Sequence, residues 1–234
     1  MNSRLFSCAA CLALAVPVQA SVVADFAADF SSAANPSGAW SYGYVAAPGA
    51  TPTLSSFVSS YGPANQVKAW SPSGTFWPTV GLNTGATPVS FGAGNAITLG
   101  VGQGILHPGA TGLLANVRYT ATFAFTGILD AAFSGVDAVG TSTNVYVLRN
   151  GVSLFGGNIN GYGQTLAYAA PITLAAGDVV DFAVGWGSNG NYVDDSTGFR
   201  AAFLTATVPE PASWAMLVAG FGLLGVVLRT RRRA

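Results

Sequence analysis

The 234-residue chain is short of thiols, of charge and of histidine, and each shortage closes off a class of chemistry. Its two cysteines, Cys8 and Cys11, both fall in the first eleven residues. If that segment is removed as a leader, no thiol remains for a disulfide framework, a thiolate metal site or a cysteine nucleophile. Only 8% of the residues are charged, against about a quarter in an ordinary soluble domain. The nine basic and nine acidic side chains cancel formally, but Arg4, Arg229, Arg231, Arg232 and Arg233 occupy the ends. Residues 21–208 therefore hold four basic against eight acidic groups, a net −4, and a phosphate-seeking surface, with it nucleic-acid binding, is excluded. His107 is the one histidine and Glu210 the one glutamate. What the chain has in quantity is apolar residues, half the total, with 30 glycines and 12 prolines. That mixture points to many short strands joined by turns.

Both ends read as addresses. Residues 1–20 have the layout of a secretory signal peptide: Arg4, an apolar run over 7–16, then Pro17 and small residues at Val18 and Ala20 that place cleavage before Ser21. Ten residues make about 15 Å of helix, too short for a bilayer core of about 30 Å. The reading implies passage through the Sec translocation machinery. A lipoprotein signal on Cys8 or Cys11 is the alternative, and neither cysteine has a full apolar stretch before it. At the other end Pro209-Glu210-Pro211 precedes the uncharged run 212–228 and then the cluster Arg229, Arg231, Arg232 and Arg233. That run makes about 25 Å of helix, enough to span at the short end of the range. Its basic flank stays cytoplasmic and the body lies outside. The competing picture, a buried C-terminal helix of a soluble domain, puts clustered arginines with no acidic partner at the edge of a core.

The tail 208–234 resembles the PEP-CTERM sorting signal of Gram-negative bacteria in its Val208-Pro209-Glu210-Pro211-Ala212-Ser213-Trp214-Ala215-Met216-Leu217, its Gly220-Phe221-Gly222-Leu223-Leu224-Gly225 and its arginine cluster. The resemblance implies that a membrane-embedded exosortase recognises Pro209, Glu210 and Pro211 and delivers the body to the envelope or an exopolysaccharide matrix. Such tails also go by the name of ice-binding protein C-terminal domains, which implies nothing about ice for a sorting address. The residues supply a physical reason for the design. Two prolines around Glu210 favour a stiff extended collar at the membrane boundary, and Trp214 suits the headgroup level. Gly220, Gly222 and Gly225 either permit close approach of another helix or are the ordinary glycine content of a membrane segment.

The body, 21–207, reads as one all-β domain, a jelly-roll-like antiparallel β-sandwich, with a barrel as the alternative. Period-two alternation predicts strands over 116–126 and 179–186 and a closing strand over 199–207. Asn150-Gly151 predicts a tight hairpin between 144–148 and 152–155. Further strands are predicted over 22–26, 40–45, 66–70, 76–82 and 96–99. Segments such as Trp40-Ser41-Tyr42-Gly43, Leu106-His107-Pro108-Gly109 and Ala176-Gly177-Asp178-Val179-Val180-Asp181-Phe182 resemble a module that recurs before PEP-CTERM tails, which implies the fold and the secretion route and no particular ligand.

Candidate chemistry is sparse, and the reading is a non-enzymatic protein. No Gly-x-Ser-x-Gly elbow is present, since Gly151-Val152-Ser153-Leu154-Phe155 fails at its last position, and His107 before Pro108-Gly109 reads as a turn residue. Gly185-Trp186-Gly187-Ser188-Asn189-Gly190 matches a dinucleotide fingerprint, but the residues that follow cannot open a helix. Asp194 and Asp195 are neighbours whose side chains diverge in extended chain, a poor start for a paired-carboxylate glycosidase. Asp178, Asp194 and Asp195, with Asn189 and Asn191, supply hard oxygens for calcium or simply shape turns. Trp40, Tyr42 and Tyr44 share a strand face and are expected in the core. Trp77 and Tyr192 are expected at the surface, where flat rings can stack on sugars. The ranking is a structural or adhesive matrix protein first, a polysaccharide-binding module second and a hydrolase third.

Overall fold

The computed structural model describes residues 20–73, 77–205, 219–221 and 229. Ser21–Thr205 form one compact unit, and Met1–Ala20 with Ala206–Ala234 are assigned to a second. The signal-peptide residues 1–19, the Pro209-Glu210-Pro211 collar, Arg231, Arg232 and Arg233, and most of the predicted 212–228 span lie outside the described residues. Among the described residues no helix is long and apolar enough to cross a membrane.

The body is all-β apart from one turn of α-helix and two short 3-10 turns. In chain order it contains β1 (Val22–Asp25), α1 (Phe26–Asp29), β2 (Trp40–Val45), β3 (Thr53–Leu54), β4 (Phe57–Tyr61), β5 (Val67–Ser71), β6 (Thr79–Asn83), β7 (Val89–Phe91), β8 (Ile97–Leu99), β9 (Gly104–His107), β10 (Leu114–Thr120), β11 (Phe125–Gly135), β12 (Ser142–Arg149), β13 (Val152–Asn160), β14 (Thr165–Leu174), β15 (Val179–Gly185) and β16 (Thr197–Thr205). One sheet runs β14-β11-β16-β9-β6-β5-β4, with β1 also on β16; the second runs β13-β12-β15-β10-β2-β3; β7 and β8 form a separate hairpin. The pairings are antiparallel.

The two sheets bury one common core. Trp40, Tyr42, Val117, Tyr119, Val147 and Phe182 come from the second sheet, and Val80, Leu106, Leu129, Phe133, Phe199 and Phe203 from the first. The result is the β-sandwich expected from the alternation. Tyr119 stacks on Phe203 at 4.1 Å between ring centres, and Phe182 meets Phe199 at 5.2 Å. Each such buried ring or aliphatic chain contributes about 1.5–3 kcal/mol by leaving water. An exposed ion pair contributes about 1 kcal/mol at most, so apolar burial and the backbone ladders hold the fold. Trp40 and Tyr42 are core as expected, and Tyr44 is half-buried.

Two expectations change. The alternating run 116–126 is not one strand: β10 ends at Thr120, 121–124 turn, and β11 starts at Phe125 in the other sheet. The Ala121 amide donates to the Asp178 carbonyl and its own carbonyl accepts from the Gly177 amide. The ladder is thus spent on the loop before β15, and Phe123 emerges 54% exposed. Alternation persists across the break because the inward-facing side of each strand faces the same core. The strand β14, unmarked by the sequence, owes its existence to ten consecutive pairings with β11. The Asn150-Gly151 hairpin stands as predicted, with φ of 51° and 78° at its two corners.

Candidate functional site

A cavity of about 570 Å³ opens where β5, β6 and β9 meet the β7–β8 hairpin and the 190–196 loop, within the range of about 300–1,000 Å³ usual for small-molecule sites. Two turns of nearly identical backbone build one wall. Tyr61-Gly62-Pro63-Ala64-Asn65-Gln66-Val67 joins β4 to β5, and Phe91-Gly92-Ala93-Gly94-Asn95-Ala96-Ile97 joins β7 to β8. In each, the glycine after the aromatic has positive φ with ψ near 180°, a conformation open essentially to glycine alone: 73° and 172° at Gly62, 82° and −177° at Gly92. A left-handed pair follows, Ala64-Asn65 in one and Gly94-Asn95 in the other. The two leading rings, Tyr61 and Phe91, stack at 6.1 Å and 17°. The β7–β8 hairpin lies outside both large sheets and is clamped from beneath. The buried Asn83 amide donates to the carbonyls of Thr87 and Gly100 at 2.9 Å each, and the Thr98 amide donates to Val136.

The floor is Thr79, Ile105 and His107. His107 sits on β9 opposite Thr79 and is buried, with Trp77 stacked on its ring at 3.6 Å. Its Nδ1 lies 2.9 Å from the Pro108 carbonyl and donates to it in the neutral tautomer. Burial lowers its pKa to about 4 against that hydrogen bond, so the ring is uncharged at neutral pH. Tyr192 approaches both rings, at 6.4 Å from Trp77 and 6.2 Å from His107.

The opposite wall is acidic. Asp137, Asp194 and Ser196 line the cavity. Asp195 turns away from it, accepting the Ser142 amide at 2.8 Å through Oδ1, while its buried Oδ2 has no hydrogen-bond partner among the described residues. Burial pushes the Asp195 carboxyl up to about 7, opposed by the Ser142 hydrogen bond and reinforced by Asp194 and Asp137. Burial raises Asp137 too, with repulsion from Asp194 adding to it and the Val139 amide working against it. The Ser196 hydroxyl is buried and without a partner among the described residues.

The structure brings Trp77 and Tyr192 together at the cavity, and both are half-buried rather than exposed at the surface as expected. It does not bring the three proposed calcium ligands together. Asp178 lies in the turn before β15, bonded to Arg149, Asn150 and the Ala175 amide. Those hydrogen bonds, led by the Ala175 amide, hold its carboxyl down at about 2. Among the described residues no group of three or more acidic, histidine or cysteine side chains is placed to hold a metal. Asn189 and Asn191 cap the amides two residues on, at 3.1 and 2.9 Å. The sequence reading missed Asp137 and the paired turns. The second had a signal, aromatic-Gly-x-x-Asn-x-aliphatic occurring twice thirty residues apart. Asp137 had none, because 57 residues separate it from Asp194.

Residues 207–233 match the PEP-CTERM protein-sorting motif. The chain carries that motif, and with it the implication of export, membrane-anchored sorting and exosortase processing. No curated protein matches the chain. Among solved structures, the body is similar to the CBM51 from Clostridium perfringens GH95 in complex with methyl-galactose, at 13% identity and a TM-score of 0.34, over 65% of this chain and 95% of that one. A CBM4 structure aligns at 16% identity and a TM-score of 0.29, over 46% and 74%. At this distance the likenesses carry no functional argument.

Proposed function

For a chain that ends in a PEP-CTERM sorting motif, we propose the role of an exported, non-enzymatic surface or exopolysaccharide-matrix protein whose body holds a glycan in the aromatic cavity. In transit the body stands outside the inner membrane, the Pro209-Glu210-Pro211 collar at the outer boundary, and Arg229, Arg231, Arg232 and Arg233 in the cytoplasm. The observation that carries the reading is the cavity itself. Trp77 and Tyr192 offer flat apolar faces of the kind that stack on sugar rings. Asp137, Asp194 and Ser196 add hydrogen-bonding oxygens, the few convergent polar groups that fix orientation in such sites. Calcium is not needed for this mode of binding.

A glycan-array screen of the full-length protein tests it, with binding expected and lost in Trp77→Ala or Tyr192→Ala. Retention of every glycan signal in both variants defeats the proposal. Added protease reaching the collar only from the cytosolic side of inner-membrane vesicles defeats the orientation. A polysaccharide hydrolase is the second reading, favoured by the lining of one cavity by His107 together with Asp137 and Asp194. New reducing ends released from a bound polysaccharide, and absent with Asp194→Asn, are its signature; unchanged chain length leaves the binding reading in place.

A further inference from the structure

The body's charges are spent unevenly. Between residues 21 and 208 there are four cations and eight carboxylates. Arg118 pairs with Asp181, Arg149 with Asp178 and Arg200 with Asp130, while Lys68 donates to the Ser60 hydroxyl at 2.9 Å. Among the described residues, five carboxylates remain without a cation. Two of them serve α1: Asp25 accepts from the Ala28 amide, and Asp29 from the Asp25 amide and the Trp40 indole. Of the other three, Asp137 and Asp194 line the cavity and Asp195 lies behind its wall, and among the described residues no lysine or arginine lines the cavity. The two carboxylates on the cavity wall, Asp137 and Asp194, with the imidazole beside them uncharged, focus a negative potential into the space they face.

An independent feature points the same way. Ser196 is fully buried, lines the cavity and leaves its hydroxyl without a partner among the described residues. Buried hydroxyls in folded proteins are nearly always satisfied, so this one suits a group that a ligand brings.

We infer that the ligand of this cavity is a saccharide bearing a free primary amine, a hexosamine without its N-acetyl group. The inference rests on the glycan-binding reading and narrows it. The sugar ring lies against Trp77 and Tyr192, and the ammonium faces Asp137 and Asp194. An ammonium has three donors and no acceptor, which matches two carboxylates and a serine oxygen. An N-acetyl group removes the charge, and a uronate reverses it.

The test compares three tetrasaccharides as titrants of the full-length protein in mildly acidic, low-salt buffer, where the sugar amine carries its proton: β-1,4-linked glucosamine, its fully N-acetylated form, and galacturonate. The amine oligomer is expected to bind about tenfold tighter than the acetylated one, the gap to narrow in high salt, and the uronate not to bind. Asp137→Asn combined with Asp194→Asn should close the gap, the amine oligomer losing about tenfold more affinity than the acetylated one. The comparison on the unaltered protein decides the matter even if that variant misfolds. Equal affinity for the amine and acetylated oligomers overturns the inference and spares the glycan reading, as does binding of the acetylated oligomer alone. Binding of none of the three overturns the inference, and the glycan array then decides the glycan reading.

Discussion

The two walls of the cavity are specified in different ways. The hairpin wall is local: each turn is a stretch of seven residues whose glycine and left-handed pair fix the backbone, and it carries no charge. The acidic wall is long-range. Asp137 and Asp194 come from separate segments, and Asp195 is held by an amide 53 residues away. A short motif can set shape, whereas a cluster of like charges has to be assembled and then held against its own repulsion by the rest of the fold.

The contrast breaks most readily at the glycines. Gly62→Ala should cost about 2–3 kcal/mol in chemical denaturation, because its φ and ψ belong to a region that side chains avoid and the new methyl would lie 2.8 Å from Val89 Cγ2. Gly92→Ala should cost somewhat less, since the nearest atom, Ile97 Cδ1, is 3.2 Å away at the end of a flexible chain. If both are neutral, the wall is not locally determined.

On the acidic wall the signature is pH dependence. The Asp195 carboxyl titrates at about 7 in the fold, above its unfolded value near 4. Between those values the native state holds a proton that the unfolded chain has released, so stability falls as pH rises. His107 acts oppositely: its folded value of about 4 lies below an unfolded value of about 6.5, and stability rises with pH across that interval. Melting curves of Asp195→Asn should therefore show stability increasing from about pH 4 to 6.5, and those of His107→Gln should show it decreasing from about pH 4 to 7. Parallel profiles for the two variants would remove the electrostatic account of this wall.

A smaller effect separates the twin turns. Ala64 occupies with φ of 53° the left-handed position that Gly94 fills at 63°. Ala64→Gly should stabilise by about 0.5–1 kcal/mol, the relief of backbone strain less the added freedom of the unfolded chain. Gly94→Ala should cost a similar amount, since no atom lies within 4 Å of the added carbon and only the backbone objects. The smallest expected effect is that of salt. With three ion pairs among the described residues and apolar burial dominant, the chemical melt should barely move between low and high salt. A large shift would give surface charge a weight that neither wall provides.

Legibility in the sequence followed the same division. The Asn150-Gly151 hairpin was readable because two adjacent residues carry the whole turn, and β15 because Val180, Phe182 and Val184 alternate with Asp181 and Ala183, although the structure buries both faces of that strand. The strands β4 and β9 were not, because such short segments become strands only when a neighbour supplies the ladder; β14 alternates along ten residues but carries Pro171, a residue that argues against a strand. Within the site, Trp77 and Tyr192 were picked out by residue type alone. Their meeting across His107 depends on a β9 that the sequence did not reveal.

Composition and pattern determined that the body is an all-β sandwich poor in charge, and the Pro-Glu-Pro collar, apolar run and arginine cluster determined that the chain carries a sorting motif. These are local properties, readable wherever a few adjacent residues suffice. Only the tertiary structure decided that three of the carboxylates left without a cation meet beside a wall of aromatic rings. Which residues oppose one another across a sandwich is set by strand order and register, and neither is written in any single segment.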